Sequence, residues 1–152
     1  MKSRTNNSPR GNTGSNKKRP QLRPIGEIRS SLKARSKAPK QGFEGAPDAW
    51  LEIRPFALSA LDGLQSGDEI LVLTWFHQSR RDVLKVHPRS DPNRALTGVF
   101  ATRSPDRPNP IGLHPVTIRK IVGARLRIGP IEAIDGTPVL DIKPVLACSK
   151  VS

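Results

Sequence analysis

Residues 98–113, GVFATRSPDRPNPIGL, hold three prolines, two arginines and an asparagine directly after a short apolar run. Pro105, Pro108 and Pro110 fix φ and remove backbone donors, so the chain between Arg103 and Ile111 is neither helix nor central sheet ladder. A rigid loop remains. On it, Arg103 and Arg107 are planar five-donor forks suited to a carboxylate, a phosphate or an aromatic face. Asn109, set between two prolines, has its conformation restricted from both sides. Such a loop suits a ligand that carries a carboxylate and a base.

Three further groups are less specific, and each has an ordinary explanation. His77-Gln78 ends an apolar strand-like run, where a polar cap is normal. Asp135-Gly136-Thr137-Pro138 is written in turn chemistry, with Gly136 tolerating positive φ, and passes as a hairpin. Pro39-Lys40-Gln41 lies in a basic polar stretch and passes as a linker. No Ser, His and acid stand at suggestive spacing and G-x-S-x-G is absent, which disfavours a hydrolase. Neither a phosphate-binding Walker loop nor a G-x-G-x-x-G turn after a strand occurs, so any adenosine-type ligand needs another mode of binding.

Short strands separated by Gly, Pro and Asp turns must position these groups. Leu22 to Ile28 reads as an edge strand, and Arg29 to Gly45 as a long loop of the kind that is usually functional in a compact domain. Trp50, Glu52 and Arg54 alternate with Leu51, Ile53 and Pro55 as in a half-buried strand. Phe56 to Leu64 allows one or two helical turns. Ile70 to Phe76 is a nearly continuous apolar strand, buried on both faces or lining a barrel. Gly98 to Thr102, Val116 to Val122, Arg125 to Ile128 and Val139 to Lys143 complete the series, with Gly123-Ala124 as a tight hairpin. The pattern predicts an all-β fold, a small antiparallel β-barrel or sandwich.

The 152 residues are enough for one domain with a core. Their net charge of +13 is unevenly placed: residues 1–40 hold 12 Lys or Arg against Glu27 alone, whereas residues 41–152 hold 14 against 12 acids. Residues 1–21 have almost nothing apolar to repay ordering, so we expect a disordered basic arm there and the folded domain over 22–152. A basic arm on a nearly balanced domain is the footprint of a polyanion partner, its ordinary alternative being a solubilising tail. Cys148 is the single cysteine, which precludes an internal disulfide and a cysteine metal cluster and fits a reducing, cytoplasmic compartment. No apolar run is long enough to span a bilayer as a helix.

Taken together, PIGEIRS at residues 24–30, Pro39-Lys40-Gln41, WFHQ at 75–78, the arginine loop and DGTPVLDIKP at 135–144 resemble the TsaA-like (TrmO) family of S-adenosylmethionine-dependent tRNA methyltransferases. The likeness covers roughly residues 22–146 in order and spacing. It implies an antiparallel barrel that binds S-adenosylmethionine, commonly as a homodimer. It also implies methylation of the exocyclic nitrogen of threonylcarbamoyladenosine beside a tRNA anticodon. By position, it implies cofactor contacts from Pro39, Lys40, Gln41, His77, Gln78, Arg103 and Leu113. The turn that holds Glu132, Ala133, Ile134, Asp135, Gly136 and Thr137 supplies the others. Asp135 or His77 is then a candidate general base, Arg107 and Asn109 are candidates for the substrate, and no metal is implied. Three features depart from the family: Lys40 stands where Arg is usual, Val145 where Tyr is usual, and HPRSDP at 87–92 replaces a Pro- and Gly-rich loop. Many relatives also carry a further domain after DIKP. These departures leave open another acceptor for the same cofactor, and a non-catalytic RNA-binding barrel is the third reading.

Overall fold

Alternation of apolar and polar positions decides the architecture. In the computed structural model, which describes residues 18–147, eight strands form: β1 (Gly26–Arg29), β2 (Ala49–Ile53), β3 (Glu69–Trp75), β4 (Lys85–Val86), β5 (Thr97–Gly98), β6 (Ile111–Val122), β7 (Arg125–Gly129) and β8 (Pro138–Pro144). Most of the basic arm, and Cys148, lie outside the described residues. Six strands close a barrel in the order β1-β2-β7-β6-β3-β8, every pair antiparallel. The last seam joins Gly26 to Val139 and Glu27 to Pro138. Strands β4 and β5 form a separate two-stranded ribbon.

One side of each barrel strand fills the interior. Ile70 and Val72 of β3, Val116 and Ile118 of β6, Leu126 and Ile128 of β7, Leu51 of β2, Ile28 of β1 and Val139 of β8 are all buried. They form one apolar cluster with Ile131 and Ala133. The period-2 pattern thus places one face of every strand on a shared core, as a small closed barrel requires.

Three sequence expectations are corrected, and one, the short helical turns, is met. Leu22 to Ile28 is not an edge: the strand there is β1, paired on both sides. Gly98 to Thr102 is not a strand, because after β5 the chain turns into a short 3₁₀ segment, Val99–Ala101. The carbonyls of Val99 and Thr102 are drawn instead to the Arg107 guanidinium, at 2.7 and 2.6 Å. The turns read at Phe56 to Leu64 are a single 3₁₀ stretch, Pro55–Leu61. Finally, β6 begins at Ile111 and runs through Pro115. That proline is tolerated because it pairs only with Leu71 of β3, the β7 ladder starting at Thr117.

Among the described residues no helix is long and apolar enough to cross a membrane. Leu51 sits fully buried between β1 and β7, opposite Ile28 and Leu126. Leu51→Ala is expected to lower the unfolding free energy by about 2–5 kcal/mol, read as a shift in the urea midpoint with an unchanged slope.

Candidate functional site

Strand direction brings the long connections to one rim. β1 and β3 end where β2, β6 and β8 begin, because each pair is antiparallel, and β7 ends there for the same reason. The β1–β2, β3–β6 and β7–β8 connections therefore all leave the same end of the barrel. The opposite end receives only the 54–68 connection and the tight turn at Gly123-Ala124.

Between the three long connections lies a cleft of 990 Å³. Pro39, Lys40 and Gln41 line it from the first connection; His77, Gln78, Arg103 and Arg107 from the second. Leu113 lines it from β6, and Glu132, Ala133, Ile134 and Thr137 from the third connection. Segments almost a hundred residues apart share this one space. Its lining also includes Phe76, Phe100 and Ile111, and Phe100 is 84% exposed although aromatic.

Polar ties between loops fix the mouth. Arg35 donates to the Gln78 carbonyl at 3.1 Å and pairs with Asp106 at 3.2 Å, which joins the first connection to the second at two points. Asp106 also accepts the Arg80 N–H at 2.8 Å. Across the cleft, Lys40 donates to the Arg89 carbonyl, and the Arg89 guanidinium contacts Glu44 at 2.6 Å and holds that carboxyl below its ordinary range. Arg89 and Ser90 adopt φ of 55° and 59°, so the 87–92 loop reaches this position through two left-handed residues. This strap was legible in sequence only as a departure in HPRSDP.

Other expected residues are placed differently. Arg107 spends its Nε and one terminal nitrogen on the carbonyls of Ser104, Val99 and Thr102. It shapes the arginine loop from within, so its geometry does not support the substrate-binding role expected of it. Asn109 is not in the cleft lining; its side-chain oxygen accepts from Arg81 at 3.2 Å, and Arg81 also donates to the Pro108 carbonyl. Arg103, by contrast, makes no hydrogen bond or ion pair among the described residues and stays exposed at the mouth.

Asp135 and Gly136 also lie outside the cleft lining. One Asp135 oxygen accepts the Ser30 N–H at 2.9 Å and the other meets Lys33 at 3.1 Å. The Ser30 amide, with help from Lys33, holds its carboxyl below the usual carboxylate range. A carboxylate turned toward the first connection and held by Ser30 and Lys33 clamps the turn. Gly136 completes that turn at φ 83°, and its N–H bonds the Ile28 carbonyl at 2.8 Å. A β-carbon at Gly136 would stand 3.9 Å from His77 Nε2, so the turn still abuts the cleft wall.

One buried group behind the cleft wall escaped sequence reading. His114 is 1% exposed, with Nε2 2.7 Å from the Thr74 hydroxyl and Nδ1 2.7 Å from Glu132. Phe76 meets the ring edge-on, with centroids 5.7 Å apart. A side chain on Gly112 would collide with Thr74, Phe76 and His114 at once, so the glycine is what makes room for them. Strand parity carried the signal, because Gly112, His114 and Val116 fall on the inward face of β6.

The family described as tRNA-methyltransferase O N-terminal domain matches residues 27–149. The "Probable S-adenosyl-L-methionine-binding protein" of Methanothermobacter thermautotrophicus is 46% identical over 123 residues, which cover 81% of this chain and 88% of that protein. An S-adenosyl-L-methionine-binding protein of Archaeoglobus fulgidus is 43% identical over 125 residues, covering 80% of this chain and 86% of its own. The crystal structure of TrmO from Pseudomonas aeruginosa matches with a TM-score of 0.67 at 33% identity, over 88% of this chain and 59% of that one. The chain thus spans less than two-thirds of the length of that solved structure.

Asp135→Ala is expected to cost about 1–2 kcal/mol at pH 7, a charged hydrogen bond discounted for partial exposure. A carboxyl depressed in the folded state stabilises above its unfolded pKa and ceases to do so as pH falls through the folded value. The difference between wild type and Asp135→Ala in urea melts should therefore shrink below about pH 4.

Proposed function

The chain belongs to the tRNA-methyltransferase O family, and from that premise we propose that it is an S-adenosylmethionine-dependent methyltransferase acting on tRNA. Its acceptor in this reading is the exocyclic nitrogen of threonylcarbamoyladenosine beside the anticodon. The carrying observation is the convergence of eleven expected contact residues, from Pro39 to Thr137, on a single cleft.

The lining fits the cofactor chemically. Arg103 is an uncommitted cation suited to the amino-acid carboxylate, while Phe100, Ile111 and Leu113 present exposed apolar surface suited to an adenine ring. The volume of 990 Å³ is at the upper end of small-molecule sites, about 300–1,000 Å³. Bound there, S-adenosylmethionine supplies an electrophilic methyl group. The chain's own work is placement: holding two partners at attack distance removes about 7–11 kcal/mol of barrier. The strap between Lys40, Arg89 and Glu44 and the bridge from Arg35 to Asp106 tie the cleft walls together. His77, exposed on the wall, remains the candidate that accepts the acceptor's proton.

The first 21 residues carry six Lys or Arg and no acid, which supports an electrostatic grip on the tRNA backbone. A homodimer and a cytoplasmic site of action belong to the same reading.

Arg103→Ala should weaken S-adenosylmethionine binding by about 1.5–3 kcal/mol in calorimetry; an unchanged affinity removes Arg103 from the site. Nucleoside mass spectrometry of tRNA treated with enzyme and cofactor should show one added methyl on threonylcarbamoyladenosine. Cofactor binding with no such product would move the acceptor to another RNA or a small metabolite. Removal of residues 1–21 is expected to leave cofactor affinity intact and to flatten the salt dependence of tRNA binding.

A further inference from the structure

Charge around the cleft is lopsided. Five cationic side chains line it, Arg35, Lys40, Arg89, Arg103 and Arg107, against two carboxylates, Asp106 and Glu132. Asp106 is already matched by Arg35. Glu132 has no Arg or Lys partner among the described residues; its one ionic contact is the His114 ring. Its side chain is 15% exposed, so its field is less screened than that of any surface carboxylate.

The buried polar chain beneath it fixes where that charge sits. A carboxylate only accepts, so the proton between Glu132 Oε1 and His114 Nδ1 belongs to the ring. On its other side the ring shares a hydrogen bond between Nε2 and the Thr74 hydroxyl. Both ring nitrogens are thus satisfied, and the ring holds the Glu132 carboxylate in place. Its second oxygen, Oε2, stands 3.1 Å from where a β-carbon of Gly42 would be, a position left open because residue 42 is glycine.

We propose that Glu132 is the cleft's receptor for positive charge and, on the reading that the cleft takes S-adenosylmethionine, that it faces the sulfonium centre, with His114 as its positioning residue. A cleft with more cations than carboxylates in its lining repels a sulfonium, and one carboxylate of low exposure with no Arg or Lys partner among the described residues reverses that locally. The cofactor is then oriented by two opposite charges, its carboxylate toward Arg103 and its sulfur toward Glu132. Glu132 thereby separates the methylated cofactor from its neutral thioether form.

Calorimetric titration of the full chain with S-adenosylmethionine and with S-adenosylhomocysteine, which lacks the sulfonium charge, tests this. Glu132→Gln keeps the shape and removes the charge, and should lower the preference for S-adenosylmethionine over S-adenosylhomocysteine by about tenfold or more. His114→Gln should move the same ratio in the same direction, whereas a purely structural loss would weaken both ligands equally. An unchanged ratio in Glu132→Gln, whether affinities hold or fall together, overturns the sulfonium assignment. An unchanged ratio in His114→Gln alongside a lowered one in Glu132→Gln overturns the positioning role. If wild type binds neither compound, it is the cofactor reading itself that fails.

Discussion

Closure of the barrel by the short seam between β1 and β8 is the constraint on which the site depends. Two residue pairs, Gly26 with Val139 and Glu27 with Pro138, make that seam. It aligns the end of β1 with the start of β8, and so sets the 30–48 connection beside the 130–137 turn. The Ile28 N–H to Thr137 carbonyl bond and the Gly136 N–H to Ile28 carbonyl bond, 2.9 and 2.8 Å, extend the seam into the loops. Without closure, the first connection would lie at one edge of an open sheet and the β8 end of the third at the other, and the cleft would lose a wall. Closure also pairs β1 and β8, the two strands that would be the edges of an open six-stranded sheet.

Much of this was readable from residue types, for reasons that differ by element. Strands β2, β3 and β7 show a period of two because one face is core and the other is not. β1 was misread as an edge because Pro24 and Gly26 resemble edge chemistry; closeness of Gly26 to the Glu52 carbonyl gives the glycine a different reason, since a side chain there would strike β2. The strand expected at Gly98 to Thr102 failed through a non-local cause. Arg107 captures two carbonyls, of Val99 and Thr102, that a strand would have offered to a neighbour, and no local propensity encodes that.

Within the site, the split between cleft and clamp was the illegible part. Asp135 and Glu132 are three residues apart in one turn, yet Asp135 turns to Ser30 and Lys33 while Glu132 turns to His114. Sequence treated the whole turn as one contact surface. Likewise Arg103 and Arg107 read as equivalent forks, and only the structure separates a buttressing guanidinium from a free one. Their difference is one of unspent donors, which depends on the path of backbone carbonyls around them.

The strap from Lys40 and Glu44 to Arg89 divides the molecule into two regimes of cohesion. The barrel is held by buried aliphatic surface, which ordinary salt scarcely touches. The mouth is held by half-exposed ion pairs, Arg89 with Glu44 and Arg35 with Asp106, which added salt weakens because they are open to solvent. Ionic strength therefore acts as a selective lubricant of the rim. Amide exchange in the 35–44 and 87–94 segments is expected to respond to it more than exchange in the barrel strands.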